Sequence, residues 1–186
     1  DVYKRQLQGL PVIHIRHVPL TNLLNATMKR TMDLVGGMMA LILFSPVMLV
    51  TAILIKATSP GPVIFCQERV GLHNKPFKMY KFRSMAVQSA AKEKSQWTTP
   101  GDPRVTPIGR FIRKTSIDEL PQLFNILKGE MSLVGPRPEW KTVVDKYVEV
   151  VPEFALRTKV KAGLTGYAQV YGKYSTTPYD LSLIHI

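Results

Sequence analysis

The sequence predicts a mainly helical α+β protein: a re-entrant membrane helix hairpin, plus a cytosolic globular part with interfacial amphipathic helices and a small β-hairpin. Three observations carry this. Leu34–Ile55 is an uncharged run of 22 residues, interrupted at its middle by Ser45-Pro46. Two short runs, Pro62–Val70 and Phe77–Met85, are rich in β-branched and aromatic residues and flank the turn Gly71–Pro76. The formal net charge is +12 although 45% of the 186 residues are hydrophobic, a combination suited to a greasy, anionic partner such as a phospholipid surface.

Taken as one helix, Leu34–Ile55 is about 33 Å long at roughly 1.5 Å per residue, enough to cross a bilayer core of about 30 Å. Proline at the middle removes a helical hydrogen bond and crowds the preceding turn. Basic residues lie at both ends, Lys29 and Arg30 before and Lys56 after, so the positive-inside tendency places both ends on the cytoplasmic face. Together these favour helix–break–helix, entering and leaving one leaflet; a kinked transmembrane helix and a soluble core helix are the alternatives. Leu20–Asp33 reads as an interfacial helix leading into the bilayer.

After the breaker Ser59-Pro60-Gly61-Pro62 come the two strands, then a short helix over Ala86–Lys94 and a loop over Thr98–Pro103. Thr106–Lys114 is an amphipathic helix bearing Arg110, Arg113 and Lys114. A further helix covers Ile117–Leu127, Met131–Val134 is extended, Trp140–Val150 is helical, and Pro152–Arg157 is another turn or two. The chain divides into a leading segment (1–19), the interfacial and membrane helix (20–56) and a cytosolic globular part (57–180). Residues 1–6 and 181–186 continue no pattern of their neighbours and are set outside the fold. Cys66 is the one cysteine, so neither an intrachain disulfide nor a cysteine metal site can form. Four histidines without ligand spacing argue against zinc.

Ala57–Ile117 carries 11 Lys/Arg against 3 Asp/Glu, just ahead of the acidic pair Asp118-Glu119. That pair has two readings. Ser116-x-x-Glu119 matches a capping box, in which the acids merely suit a helix N-terminus. Pro121 conflicts with this, because it would sit in the fifth helical position and lose the bond to Ile117. In the other reading, neighbours about 100° apart on a helix diverge, so one carboxylate attacks phosphorus while the other holds Mg²⁺. Arg110, Arg113 and Lys114 would then neutralise a diphosphate. Gly135-Pro136-Arg137-Pro138 holds one arginine between two prolines, either a preset phosphate fork or a rigid surface turn. Lys78–Arg83 interleaves basic and aromatic residues, as a phosphate-facing strand or an exposed sheet edge. Neither a Walker A motif nor a dinucleotide glycine fingerprint is present.

Read together, these segments resemble the bacterial sugar transferases, the monotopic phosphoglycosyl transferases. The matching pieces are Lys29-Arg30-Thr31-Met32-Asp33, Ser45-Pro46, Ser59-Pro60-Gly61-Pro62 and Gln67-Glu68-Arg69-Val70-Gly71. Then follow Lys81-Phe82-Arg83-Ser84-Met85, Thr115–Gln122, Ser132–Pro138 and Gly163–Val170, in family order across about residues 29–180.

The resemblance implies that a UDP-sugar and polyprenyl (undecaprenyl) phosphate give polyprenyl-diphosphosugar and UMP, the first membrane step of exopolysaccharide, O-antigen or glycoconjugate assembly. Asp118 matches the nucleophile that carries the phosphosugar, and Glu119 its partner, associated with Mg²⁺. Arg113, Arg137, Lys81 and Arg83 match basic positions near the phosphates. Lys29, Arg30, Ser45 and Pro46 match membrane-interface positions. The implied setting is the bacterial inner membrane, with the catalytic part on the cytoplasmic face and no nucleic acid partner.

Pro11–Arg16 resembles the junction that follows the N-terminal regions of longer members, so the chain is expected to be the C-terminal catalytic part of one. It departs from the family at Lys161-Ala162-Gly163, where proline is usual, and it stops at Tyr179-Asp180, ahead of a usual C-terminal stretch. Two other classes compete: a non-enzymatic membrane-anchored basic module binding anionic lipid or nucleic acid, and an inactive truncated member. The acidic dyad beside arginines separates the first from an enzyme, because a tether has no need of it. The motifs concern phosphates and carrier, so glucose, galactose and N-acetylated sugars all stay open, and no motif specifies an oligomeric state.

Overall fold

The computed structural model describes residues 4–7, 10–13, 22–86, 102–166 and 169–170. Strands β1 (Lys4–Leu7) and β2 (Leu10–Ile13) form an antiparallel hairpin. Helix α1 then runs from Leu23 to Thr58, 36 residues, capped by Asn22 Oδ1, which accepts from Leu24 N at 3.0 Å. By length and composition it is the one helix among the described residues able to cross a membrane.

The helix corrects two expectations. No separate interfacial helix covers Leu20–Asp33, because nothing between Leu23 and Leu34 interrupts the turn-to-turn bonding. Nor does the chain break at Ser45-Pro46. Pro46 cannot donate to Ile42 O, but Ser45 Oγ donates to that same carbonyl at 2.8 Å, so the helix continues through it.

Contact with the rest of the protein is confined to one face of α1. Asp33, Gly37, Thr51 and Ile55 are buried. Asp33 and Thr51 are 18 positions apart, five turns at about 3.6 residues each, so both ends present the same side to the body. Between them, residues 42–47 are all exposed. Six consecutive residues cover every direction around a helix, so this middle stretch is exposed on all sides.

Strands β3 (Ile64–Val70) and β4 (Pro76–Phe82) pair antiparallel, with Ile64 opposite Phe82 and Val70 opposite Pro76. The expected hairpin is present, two residues shorter at its start and three at its end. Its turn contains a 3-10 segment, Leu72–Asn74. The expected Ala86–Lys94 helix and Thr98–Pro103 loop fall almost wholly outside the described residues.

Helix α2 (Pro107–Lys114) starts where Thr106 Oγ1 accepts from Gly109 N at 2.9 Å, with proline in its first turn. Gly109 must lack a side chain, because a Cβ there would lie 1.9 Å from Ser84 O. The single helix expected over Ile117–Leu127 is divided into a 3-10 turn, Ile117–Glu119, and helix α3 (Gln122–Lys128). Pro121 causes the division: it has no N–H for Ile117 O, which accepts from Leu120 N at 3.2 Å instead.

Strand β5 (Ser132–Val134) pairs in parallel with β6 (Gly163–Thr165), and helix α4 (Lys141–Val150) lies between them in sequence, followed by 3-10 turns over Pro152–Lys159. Three apolar clusters hold these parts together. Val70, Val144, Val151 and Phe154 join β3 to α4; Met79, Leu123, Ile126 and Met131 join β4 to α3; Ile55, Phe82 and Ile112 join α1 to β4 and α2. The last two bring β4, α1 and the Asp118 turn around a shared neighbour, Leu120.

Candidate active site

Asp118 and Glu119 occupy the 3-10 turn between α2 and α3. Ser116 reverses the chain into it with a left-handed φ of 57°, uncommon for a residue with a side chain. The capping-box alternative does not form: Ser116 makes no side-chain cap bond, and only its backbone oxygen accepts from Glu119 N, at 3.1 Å. The Glu119 carboxylate is directed elsewhere. Its Oε1 accepts from Lys81 Nζ at 2.8 Å and from Arg137 Nη2 at 3.2 Å. Three elements that are remote in sequence thus meet on one oxygen.

Electrostatics separates the two acids. Burial pushes the Asp118 carboxyl up, and Glu119 adds to that; Lys81 and Arg113 oppose it without cancelling it. Burial also pushes Glu119 up, but Lys81 and Arg137 together outweigh it and hold the carboxyl below its ordinary range. Glu119 is therefore a fixed anion, and Asp118 a carboxyl whose charge is poorly compensated. A carboxylate of that kind is a better nucleophile than one tied into a salt bridge.

Not every basic residue singled out by the sequence joins this cluster. Arg113 donates through Nε to Ser84 Oγ at 2.7 Å and acts on Asp118 through space. Arg83 is buried and spends its fork on two carbonyls after α1, Ser59 O at 2.8 Å and Pro60 O at 2.6 Å. That anchors the exit of α1 and leaves Arg83 away from the acids.

Lys29 and Arg30, expected at the membrane interface, are engaged by the body. Lys29 Nζ pairs with Asp33 Oδ1 at 2.6 Å and also bonds Ser132 Oγ. Arg30 donates to Ile126 O and Leu127 O at 2.7 and 2.8 Å, satisfying carbonyls at the end of α3 where a cation is favoured. Asp33 Oδ1 also accepts from Ser132 Oγ and Leu133 N, both at 3.0 Å, and so ties α1 to β5. Ser45 and Pro46 lie exposed, as described above.

Sequence reasoning missed two arginines behind the Arg137 turn. Arg69 pairs with Glu139 at 3.6 Å, lies 5.0 Å from the centre of the Trp140 ring, and is pushed down to about 10 by burial. Arg157 donates to Arg137 O at 2.7 Å. A basic residue inside a motif gave no sign that its side chain would be buried. Among the described residues no group of three or more His, Cys, Asp or Glu forms a metal cage. The adjacent acids still fit Mg²⁺, which takes one or two carboxylates and completes its shell with water and substrate phosphates.

Against this geometry stand the comparisons with known proteins. The family described as bacterial sugar transferase matches residues 24–184. A UDP-N-acetylgalactosamine-undecaprenyl-phosphate N-acetylgalactosaminephosphotransferase of Aeromonas hydrophila is 50% identical over 155 residues, 83% of this chain and 36% of the relative. A UDP-glucose:undecaprenyl-phosphate glucose-1-phosphate transferase of Escherichia coli (strain K12) is 46% identical over 167 residues, 90% of this chain and 36% of the relative. A putative undecaprenyl-phosphate N-acetylgalactosaminyl 1-phosphate transferase of Bacillus subtilis (strain 168) is 50% identical over 129 residues, 69% of this chain and 72% of the relative. The chain thus spans about a third of the length of the first two relatives and most of the third. Its motifs, its acidic pair and these similarities agree: the chain belongs to the bacterial sugar transferase family.

Proposed function

We propose that this chain transfers a phosphosugar from a UDP-sugar to polyprenyl phosphate, through a covalent intermediate on Asp118. The observation that carries the reading is the contrast within the dyad: Glu119 is neutralised by Lys81 and Arg137, whereas Asp118 beside it is half-buried and forms no ion pair among the described residues. In the first step an Asp118 carboxylate oxygen bonds to the sugar-linked phosphorus of the donor. The phosphoanhydride P–O bond breaks, and UMP leaves with its electron pair. In the second, an oxygen of polyprenyl phosphate bonds to the same phosphorus, releasing the Asp118 carboxylate and forming the diphosphate. Lys81, Arg113 and Arg137 offset charge that develops on the transferring group. Mg²⁺, held by Glu119 with substrate phosphates, would add charge neutralisation during both steps.

The setting we propose is the cytoplasmic face of the bacterial inner membrane, with both ends of α1 held on that face. Support comes from the body contacts at both ends of α1 and the exposed, mainly apolar stretch between them. A helix crossing outright would drag one end of the polar body into hydrocarbon, where unpaired polar groups are costly. The product, a polyprenyl-linked sugar diphosphate, suits glycosyl transfer onto the first sugar as the class of reaction that consumes it.

Incubation with UDP-sugars and polyprenyl phosphate is the test. Repeated turnover, read as UMP in excess over protein, that depends on the lipid is the expected result, with a single equivalent of UMP and a phosphosugar adduct on Asp118 in its absence. Lipid-dependent UMP release without any adduct would sink the two-step scheme; no UMP with any UDP-sugar would sink the reaction. Cysteine labels near Lys29 and near Ala57 should both react from the cytoplasmic side, and opposite-side labelling would establish a membrane crossing.

A further inference from the structure

The turn that delivers Arg137 to Glu119 contains Pro136 and Pro138, so it lacks two of the backbone donors that usually pin a turn. It is held through its carbonyls instead. Gly163 N donates to Pro136 O at 2.9 Å, Arg157 Nη2 donates to Arg137 O at 2.7 Å, and Arg69 Nη1 reaches Pro138 O at 3.5 Å. The shortest of the three falls on Arg137 itself.

Arg157 is built for that single bond. It is 8% exposed, and its guanidinium lies 4.4 Å from the centre of the ring of Phe154, which is fully buried. Burial lowers its pKa, with Glu139 opposing the effect. Its second terminal nitrogen, Nη1, is buried with no hydrogen-bond partner among the described residues. A buried cation with an unmet donor is a poor device for stability, so its presence calls for another explanation. A planar fork stacked on a buried ring, in contrast, aims Nη2 at one point with little freedom. Arg137 needs such an anchor: its side chain is 45% exposed and reaches Glu119 by one bond of 3.2 Å, so only its backbone can restrict where the long side chain points.

We propose that Arg157 is a positioning residue for Arg137, gripping its carbonyl so that the Arg137 guanidinium stays directed at Glu119 and the phosphates. The inference rests on the phosphate-handling role proposed for Arg137. It makes Arg157 act through Arg137 and through nothing else in the reaction.

A double-mutant cycle in the full chain tests this. Arg157→Met should lower kcat/KM about tenfold in the native background and less than about twofold in an Arg137→Ala background, because the two residues act as one unit. Arg157→Lys, which keeps a donor near the carbonyl, should recover most of the activity; if the methionine variant does not fold, the same cycle is run with lysine and a smaller expected loss of about threefold. Phenylglyoxal labelling of Arg137, followed by mass spectrometry without any substrate, should be faster in the Arg157 variants. Multiplicative losses in the double mutant, or unchanged Arg137 labelling, would overturn the proposal. An unvaried protein that releases no UMP would instead sink the transferase reading, and the labelling result would still decide whether Arg157 holds Arg137.

Discussion

Lys81 Nζ lies 2.8 Å from Glu119 Oε1, and Arg137 Nη2 shares that oxygen at 3.2 Å, so one acid of the dyad is neutralised by two cations while its neighbour Asp118 is not. Strand β4, the turn after α2 and the turn after β5 each supply one group. In the proposed reaction the division of labour between the acids follows from which of them the cations reach.

Replacing Asp118 with asparagine should abolish both transfer and the covalent adduct, because an amide is a poor nucleophile. The same change should raise the melting temperature at neutral pH. A carboxyl whose folded pKa is raised contributes stability that is complete in acid and lost as pH rises through the folded value. Relieving that loss should appear as an upward shift of the melting midpoint. Melts at acid pH should show no gain; a gain of equal size there would remove the electrostatic explanation.

Catalytic efficiency should fall as pH drops through the raised pKa of Asp118, since only the ionised carboxylate attacks. Lys81 favours ionisation of both acids, so Lys81→Met should move the acid limb to higher pH, and Lys81→Arg should leave it in place. Stability tied to Glu119 has the opposite sign to that of Asp118. Its depressed pKa makes that contribution present above the ordinary carboxylate range and lost as pH falls through the folded value. Rate profiles of the variants decide the matter, and an acid limb that does not move in Lys81→Met would count against Asp118 as the titrating group.

Arg137→Ala should lower kcat/KM roughly ten- to hundredfold, the loss expected when a charge-assisted contact of about 1.5–3 kcal/mol disappears. Arg137→Lys should recover only part of it, because an ammonium lacks the paired donors of the fork. Thermal stability should change by less than about 0.5 kcal/mol, as for a half-exposed side chain. Steady-state kinetics beside melts separates this from a solvated surface turn, for which neither quantity would move.

Ser45→Ala should destabilise α1 in lipid by about 1 kcal/mol, because Ile42 O loses the hydroxyl that stands in for the missing Pro46 N–H. Adding Pro46→Ala should restore the loss by returning a backbone donor. Melts in nanodiscs provide the readout, and an unaltered melt in Ser45→Ala would show that this hydroxyl is dispensable.

Local chemistry in the sequence was enough to place several features. The uncharged run of 22 residues was legible as apolar helix, although a break was expected within it, and Gly71–Pro76 between two β-branched runs was legible as the turn of a hairpin. The ordered motifs, through the family resemblance, pointed to Asp118-Glu119 and to Arg137 before any contact was known.

Tertiary structure decided the rest, because it depends on which groups are brought together and sealed from water. Lys81 and Arg83 are two residues apart and similar in charge, yet β4 ends at Phe82 and its alternation no longer governs Arg83. Lys81 meets Glu119, whereas Arg83 turns under the exit of α1. Lys29 and Arg30 read as membrane-interface residues, and the packed chain also joins them to Asp33, Ser132 and the end of α3. Proline after serine read as a break, and it was a hydroxyl three residues from a carbonyl that kept the helix whole. Burial of Arg157 against Phe154 left no trace in a sequence where arginine is usually a surface residue, since burial belongs to the packed chain and not to the residue type.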